Sequence, residues 1–327
     1  MIRIKETESN SKLQNVQMLT VKKYLSLVKF SHTIFALPFA MIGFFLGLFS
    51  TASSNVPGWY IVIGRGYLFG KPIGLTNDDF VMKLVWVLIC MVTARSAAMA
   101  FNRYLDRNFD SKNARTAIRE IPAGMIAANS ALRFVLLNCG LFIATTYFIN
   151  SICFYLSPVA LFVILFYSYT KRFTALCHLV LGVGLSLAPI GAYLAVTGRF
   201  DGLPILFSLA VIFWVSGFDI IYALQDIEFD QSQKLYSIPS VLGKSKALRV
   251  SELLHIVSAV CVIAAGMYGG FHGLYWIGVT VFAGMLVYQH SIVKSNDLSK
   301  VNIAFMTANG IASVVFGVLV IADLFLR

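Results

Sequence analysis

Apolar residues in this chain come in runs of close to twenty, broken only by Gly, Ser, Pro or a lone polar side chain, with short polar segments between them. Roughly 20 helical residues at 1.5 Å rise cross a hydrocarbon core of about 30 Å. The pattern therefore predicts nine spans, near 33–50, 81–101, 131–150, 152–170, 175–196, 204–224, 252–270, 274–292 and 302–325. Asn150 and Ser151 are the only turn signal between the third and fourth runs, and a fusion there would leave eight. The expected fold class is an all-α, polytopic membrane bundle, with a cytosolic N-terminal segment at 1–31 and one transmembrane domain at 32–327. The stretch 51–80, rich in Gly and aromatic residues, reads as a connecting loop on the outer face.

Composition agrees with lipid as the solvent. Hydrophobic residues are 58% of the 327 and charged residues 13%, more apolar mass than one soluble core can bury. The five cysteines fall mostly inside spans, without C-x-x-C spacing, and read as small hydrophobes. The net charge of +11 would suit nucleic acid if it were gathered on one soluble face. It follows topology instead. With the N-terminus inside, 20 of the 26 Lys and Arg lie on inner segments, as the positive-inside rule requires, so no nucleic-acid partner is expected.

The acidic residues are unevenly placed. Asp106, Asp110 and Glu120 follow the second span, and Asp219, Asp226, Glu228 and Asp230 fall at and after the end of the sixth, so seven of fifteen carboxylates gather in two inner segments. Carboxylates at membrane depth are costly, and their concentration on one side argues for a site. Asn102, Asp106 and Asp110 are spaced i, i+4, i+8, which places them on one helical face; Asp219, Tyr222, Asp226 and Asp230 follow the same logic on a helix continuing the sixth span. Such hard oxygen ligands suit Mg²⁺. The competing reading is that these aspartates pair with the nearby Arg103, Arg107, Arg115 and Arg119. Two acidic clusters on one membrane side fit a diphosphate bridged by cations, with Arg115, Arg119 and Lys234 placed to grip the leaving group. Arg95 lies two turns deeper than Asn102 on the same face, and serves either a substrate anion or a span carboxylate such as Asp219.

At this point the motifs are recognisable. The run Ala94 to Asp110 (ARSAAMAFNRYLDRNFD), followed by Arg115-Thr-Ala-Ile-Arg119, resembles the first signature of the UbiA superfamily, Asn-x-x-x-Asp-x-x-x-Asp with a trailing Arg-Thr-x-x-Arg. Asp219 to Asp230 (DIIYALQDIEFD) resembles the second, Tyr-x-x-x-Asp-x-x-x-Asp. His32 to Phe39 (HTIFALPF) and Tyr169-Thr-Lys-Arg-Phe-Thr174 support the match, which runs from about 22 to 325. Two departures are visible: Arg103 stands where many members have Asp, and Tyr236 where many have Lys.

The resemblance implies a nine-helix bundle with a central cavity, in which Asn102, Asp106, Asp110, Asp226 and Asp230 hold Mg²⁺ around a polyprenyl diphosphate, and Arg95, Arg115, Arg119, Asp219, Tyr222 and Lys234 bind substrate. The four motif aspartates are the expected catalytic residues. Metal and Arg contacts stabilise departing diphosphate, and a ring carbon attacks the allylic cation in a water-free chamber. Phe101-Asn-Arg-Tyr-Leu-Asp-Arg107, Ser237-Ile-Pro239 and Thr307-Ala-Asn-Gly310 look most like the bacterial 4-hydroxybenzoate polyprenyltransferase-like branch, including its menaquinone members. An aromatic acid acceptor is expected, 1,4-dihydroxy-6-naphthoate slightly ahead of 4-hydroxybenzoate, in a bacterial inner membrane with active-site loops cytoplasmic. Haem precursors, chlorophyllide and glycerol phosphate lipids remain alternative acceptors, and a secondary transporter is the alternative of another class.

Overall fold

The computed structural model describes residues 23–28, 35–53, 66–68, 71–73 and 77–326. Most of the expected N-terminal segment and of the 51–80 loop lies outside these, as do His32 to Ile34 of the first-span motif. From that loop the structure includes two short antiparallel strands, β1 (Gly66–Leu68) and β2 (Lys71–Ile73), a small exception to an otherwise helical fold.

The helices are α1 (Leu37–Ser53), α2 (Asn77–Asp110), α3 (Ala128–Ile149), α4 (Ser151–Thr170), α5 (Cys177–Thr197), α6 (Gly202–Ala223), the short α7 (Ile227–Ser232), α8 (Ile238–Tyr268), α9 (Gly273–Ile292) and α10 (Asn309–Leu326). A 3₁₀ turn at Leu224–Asp226 joins α6 to α7, and a π-helical turn at Ile303–Ala308 leads into α10. Seven of the passes are long and apolar enough to cross a membrane, and with α1 and α9 they make nine apolar passes among the described residues. The α3–α4 boundary is real because Asn150 caps it: its Oδ1 accepts from the amide of Cys153 at 2.9 Å, while its Nδ2 donates to the Leu194 carbonyl at 2.8 Å.

Two helices run past their apolar stretches. α2 has 34 residues, about 51 Å at 1.5 Å each, so its last turns carry Asn102 to Asp110 toward the polar side. α8 begins fourteen residues before the predicted span and is kinked at Gly243, whose φ of 77° and ψ of 168° are not helical. Lys244, Lys246 and Arg249 hid that start, which is set by a capping box between Ser237 and Ser240 with Pro239 in the first turn.

Bundle packing depends on small residues. A Cβ at Gly43 would overlap the Pro189 carbonyl, and one at Gly47 would sit 2.8 Å from Val196 Cβ, so this small-xxx-small stripe lets α1 lie close on α5. Phe39, Phe207, Trp214, Tyr275, Phe282 and Phe316 form an aromatic core joining α1, α6, α9 and α10. Within it Asn309 Oδ1 accepts from Trp214 Nε1 at 2.9 Å and from Gln289 Nε2 at 2.8 Å, and Asn309 Nδ2 donates to the carbonyls of Ala304 and Phe305. These bonds take up backbone carbonyls that the π turn frees.

Candidate active site

On the other side of this core, α2 to α6 enclose a cavity of about 680 Å³, walled mainly by Val, Ala, Leu, Ile and Met. Phe35 and Phe305 complete it. Its polar end gathers the ends of α2, α4 and α6, the start of α5, and the 111–127 loop.

The first motif behaves as a helical face. Asn102 Nδ2 donates to Asp106 Oδ2 at 3.1 Å, and Asn102, Asp106 and Asp110 all line the cavity. The second motif departs from the continuous helix expected of it. The chain tightens into the 3₁₀ turn at Leu224–Asp226, so Asp226 ends one helix and Asp230 belongs to the next. Both still line the cavity, with Asp219 and Tyr222.

The two motifs meet, and they do so through cations. Arg115 joins Asp226 by Nε to Oδ1 at 3.1 Å and by a second contact from Nη2 to Oδ2, while its Nη1 donates to the Tyr222 hydroxyl at 2.9 Å. Arg119 pairs with Asp110 at 2.7 Å. Consecutive residues of the α4–α5 loop divide between the motifs: Lys171 reaches Asp230 at 2.7 Å and Arg172 reaches Asp106 at 2.8 Å. Each motif aspartate thus carries a basic partner, as the ion-pair reading expects, and two of the four partners come from a loop that reading did not consider. Burial opposes the charge of Arg115 and of Lys171, yet Asp226 and Asp230 outweigh it and hold both groups above their ordinary values.

Sequence reasoning named Arg115 and Arg119, which the structure brings to the motifs, and Lys234, which it does not. Lys234 is exposed, takes a positive φ of 55°, and is absent from the cavity wall; Lys171 occupies the position imagined for it. In the sequence Lys171 and Arg172 look like inner-side topology charges, although they fall within the Tyr169–Thr174 motif. Arg103 is buried and pairs with Glu120 at 3.1 Å, whose other oxygen accepts from Ser26 Oγ at 2.5 Å. Tyr236 is exposed, and its backbone N–H holds the Lys171 carbonyl at 2.7 Å. Asp219 pairs with His178 at 2.7 Å, not with Arg95, which lies farther along the cavity wall; His178 was missed for want of any nearby ligand pattern.

Among the described residues no three carboxylate, imidazole or thiol groups converge on one point. The donor set is nevertheless of hard oxygens, and Asp110 Oδ2 is buried on the cavity wall with no hydrogen-bond partner, so the residues present fit a divalent cation.

Comparison with known proteins fixes the class as intramembrane prenyltransferases. Residues 67–311 match the model of the UbiA prenyltransferase family, and the chain belongs to that family. It is 29% identical over 228 residues to the 4-hydroxybenzoate octaprenyltransferase of Tolumonas auensis, covering 70% of this chain and 79% of that protein. It is likewise 29% identical over 233 residues to that of Francisella tularensis subsp. novicida, covering 71% and 82%. The apo structure of a UbiA homolog from Aeropyrum pernix K1 superposes with a TM-score of 0.70 at 25% identity, over 90% of this chain and 97% of the other. The fold is also that of a UbiA homolog from Archaeoglobus fulgidus bound to GPP and Mg²⁺, with a TM-score of 0.67 at 18% identity over 93% and 99%. The protein is a multi-pass integral membrane enzyme, and the transporter alternative falls with the family assignment.

Proposed function

We propose that the protein transfers a polyprenyl group from its diphosphate to a ring carbon of a hydroxylated aromatic acid, with Mg²⁺, in quinone biosynthesis at a bacterial inner membrane, active-site loops facing the cytoplasm. The observation that carries this is the meeting of both acidic motifs, with four cations between them, at the polar end of an apolar chamber. The acceptor named in the relatives supports 4-hydroxybenzoate, and 1,4-dihydroxy-6-naphthoate is the second candidate.

Asn102, Asp106 and Asp110 on one wall and Asp226 and Asp230 on the other would hold Mg²⁺, which supplies charge neutralisation and electrophilic pull on the diphosphate oxygens. Arg115, Arg119, Lys171 and Arg172, exchanged from carboxylate to phosphate, stabilise charge as it develops on the leaving group. The apolar wall keeps water from the allylic carbon and leaves the ring as the nucleophile. A long tail exceeds the chamber and continues into lipid. The domain division, a cytosolic 1–31 followed by one catalytic domain, belongs to the same proposal.

Membranes containing the protein are incubated with labelled geranyl diphosphate and each candidate acid, with Mg²⁺ or with chelator. Metal-dependent prenylation of one acid is expected. Absence of prenylated product with every hydroxylated acid would refute the assignment.

A further inference from the structure

One acidic side chain on the cavity wall is left out of the diphosphate chemistry. Asp219 lies seven residues before Asp226 on α6, about two turns and roughly 10 Å deeper in the chamber. Its surroundings differ from those of the four motif aspartates. Each of those meets Lys or Arg, whereas Asp219 Oδ2 faces His178 Nδ1 at 2.7 Å.

The imidazole can be assigned from its other side. His178 is buried, and its Nε2 lies 3.3 Å from the backbone nitrogen of Ile238, which can only donate. Nε2 is therefore an acceptor, and the ring proton sits on Nδ1, directed at Asp219. The Ser216 hydroxyl donates to the His178 carbonyl at 3.1 Å, so α5 and α6 are fastened beside the pair. The Nδ1–H fixes the direction of the carboxylate and leaves its other oxygen to the chamber. Asp219 keeps 24% of its side chain accessible and so presents a directed anionic acceptor to the chamber.

An anion at that depth repels a diphosphate or a carboxylate and attracts a group that donates a hydrogen bond. We propose that Asp219, oriented by His178, accepts the hydrogen bond of the acceptor's ring hydroxyl, and by doing so sets the ring's position and raises electron density at the carbon beside it. This rests on the prenyl-transfer reading and names the residues that select a hydroxylated ring. Tyr167 lies within electrostatic reach of both Asp219 and Arg95, and Arg95 lines the chamber from α2, where it can meet the carboxylate of a ring whose hydroxyl is on Asp219. As the ring carbon bonds to the prenyl carbon, the C–O bond to diphosphate breaks and its electron pair leaves with the diphosphate. The ring proton then passes to a diphosphate oxygen, and the hydroxyl keeps its own proton. Asp219 touches the substrate and is a catalytic residue; His178 is a positioning residue.

Wild type, Asp219→Asn, His178→Gln and His178→Leu are compared in detergent with geranyl diphosphate and 4-hydroxybenzoate, and with 4-methoxybenzoate as competitor. In wild type the hydroxy acid is held at least about tenfold more tightly than its methyl ether. That ratio should collapse toward one in Asp219→Asn and His178→Leu and be partly restored in His178→Gln, whose amide can still donate. KM for geranyl diphosphate should stay within about twofold, a readout that general loosening of the fold would move. If Asp219→Asn does not fold, the two His178 variants decide by the same ratio. A hydroxyl preference unchanged in the variants overturns the role of the pair while leaving the prenyltransferase reading intact. No turnover by wild type with any hydroxylated acid overturns that reading instead.

Discussion

Arg115, in the loop after the first acidic motif, holds Asp226 of the second with two nitrogens and the Tyr222 hydroxyl with a third. The planar guanidinium satisfies three acceptors at once, and a lysine offers the charge without the fork. Replacing Arg115 by Lys should raise KM for the prenyl diphosphate about tenfold, and by Ala about a hundredfold, as expected for loss of charge-assisted bonds. Steady-state kinetics at saturating acceptor and Mg²⁺ checks this; an Ala variant with wild-type KM contradicts it.

Asp106 and Asp226 reach the polar end of the cavity from two different elements, α2 and the turn after α6. Alanine at either should reduce prenyl transfer by about 10²–10³-fold or more while the protein still inserts and elutes as a single species. Turnover by purified Asp106→Ala near the wild-type rate would remove it from the proposed metal set.

Lys171 carries a pH signature through Asp230, whose side chain is fully buried. Burial lowers the lysine's affinity for its proton, but the carboxylate wins, and the result lies above the ordinary value of 10.5. A group so raised contributes fully below that value, and its contribution is lost only as pH climbs through the higher one. Lys171→Met should therefore cost roughly 1–3 kcal/mol, with a deficit constant between about pH 7 and 9.5. Thermal unfolding across that range reports it, and a deficit that fades by pH 9 speaks against the pair.

Asn309 ties Trp214, Gln289 and the π turn together. Asn309→Ala strands the buried donors of Trp214 and Gln289 and should destabilise by about 1–3 kcal/mol. Because Phe305 of that turn lies 4.3 Å, centroid to centroid, from the Tyr222 ring, activity should fall as well. A thermal shift together with kinetics measures both; a neutral Asn309→Ala would show the network to be dispensable.

Much of this architecture was legible in hydropathy, because lipid forces each pass into a long apolar helix and leaves little room for other solutions. The start of α8 was not, since the kink at Gly243 and the basic residues Lys244, Lys246 and Arg249 interrupt the apolar run and only the Ser237–Ser240 cap marks where the helix begins. In the site, spacing brought out the aspartates because one helix presents them to one face. It could not reveal the α4–α5 loop, whose Lys171 and Arg172 look like any pair of inner-side charges until folding carries one to each motif. Lys234 misled for the converse reason: closeness in sequence to Asp230 says nothing about direction, and the left-handed backbone there leaves its side chain outside the chamber. His178 stands alone in the sequence and acquires its meaning only across the α5–α6 interface.

On the proposed reaction, the overhang of α2 would give each product its own way out. A helix of some 51 Å outlasts the oily layer it crosses, so the proposed donor would have its phosphorus end handled at the edge of the water and its carbon end kept among methyl groups. When the donor splits, the salt is already beside the aqueous phase and the lengthened ring beside the lipid, and neither has to pass the other on its way out.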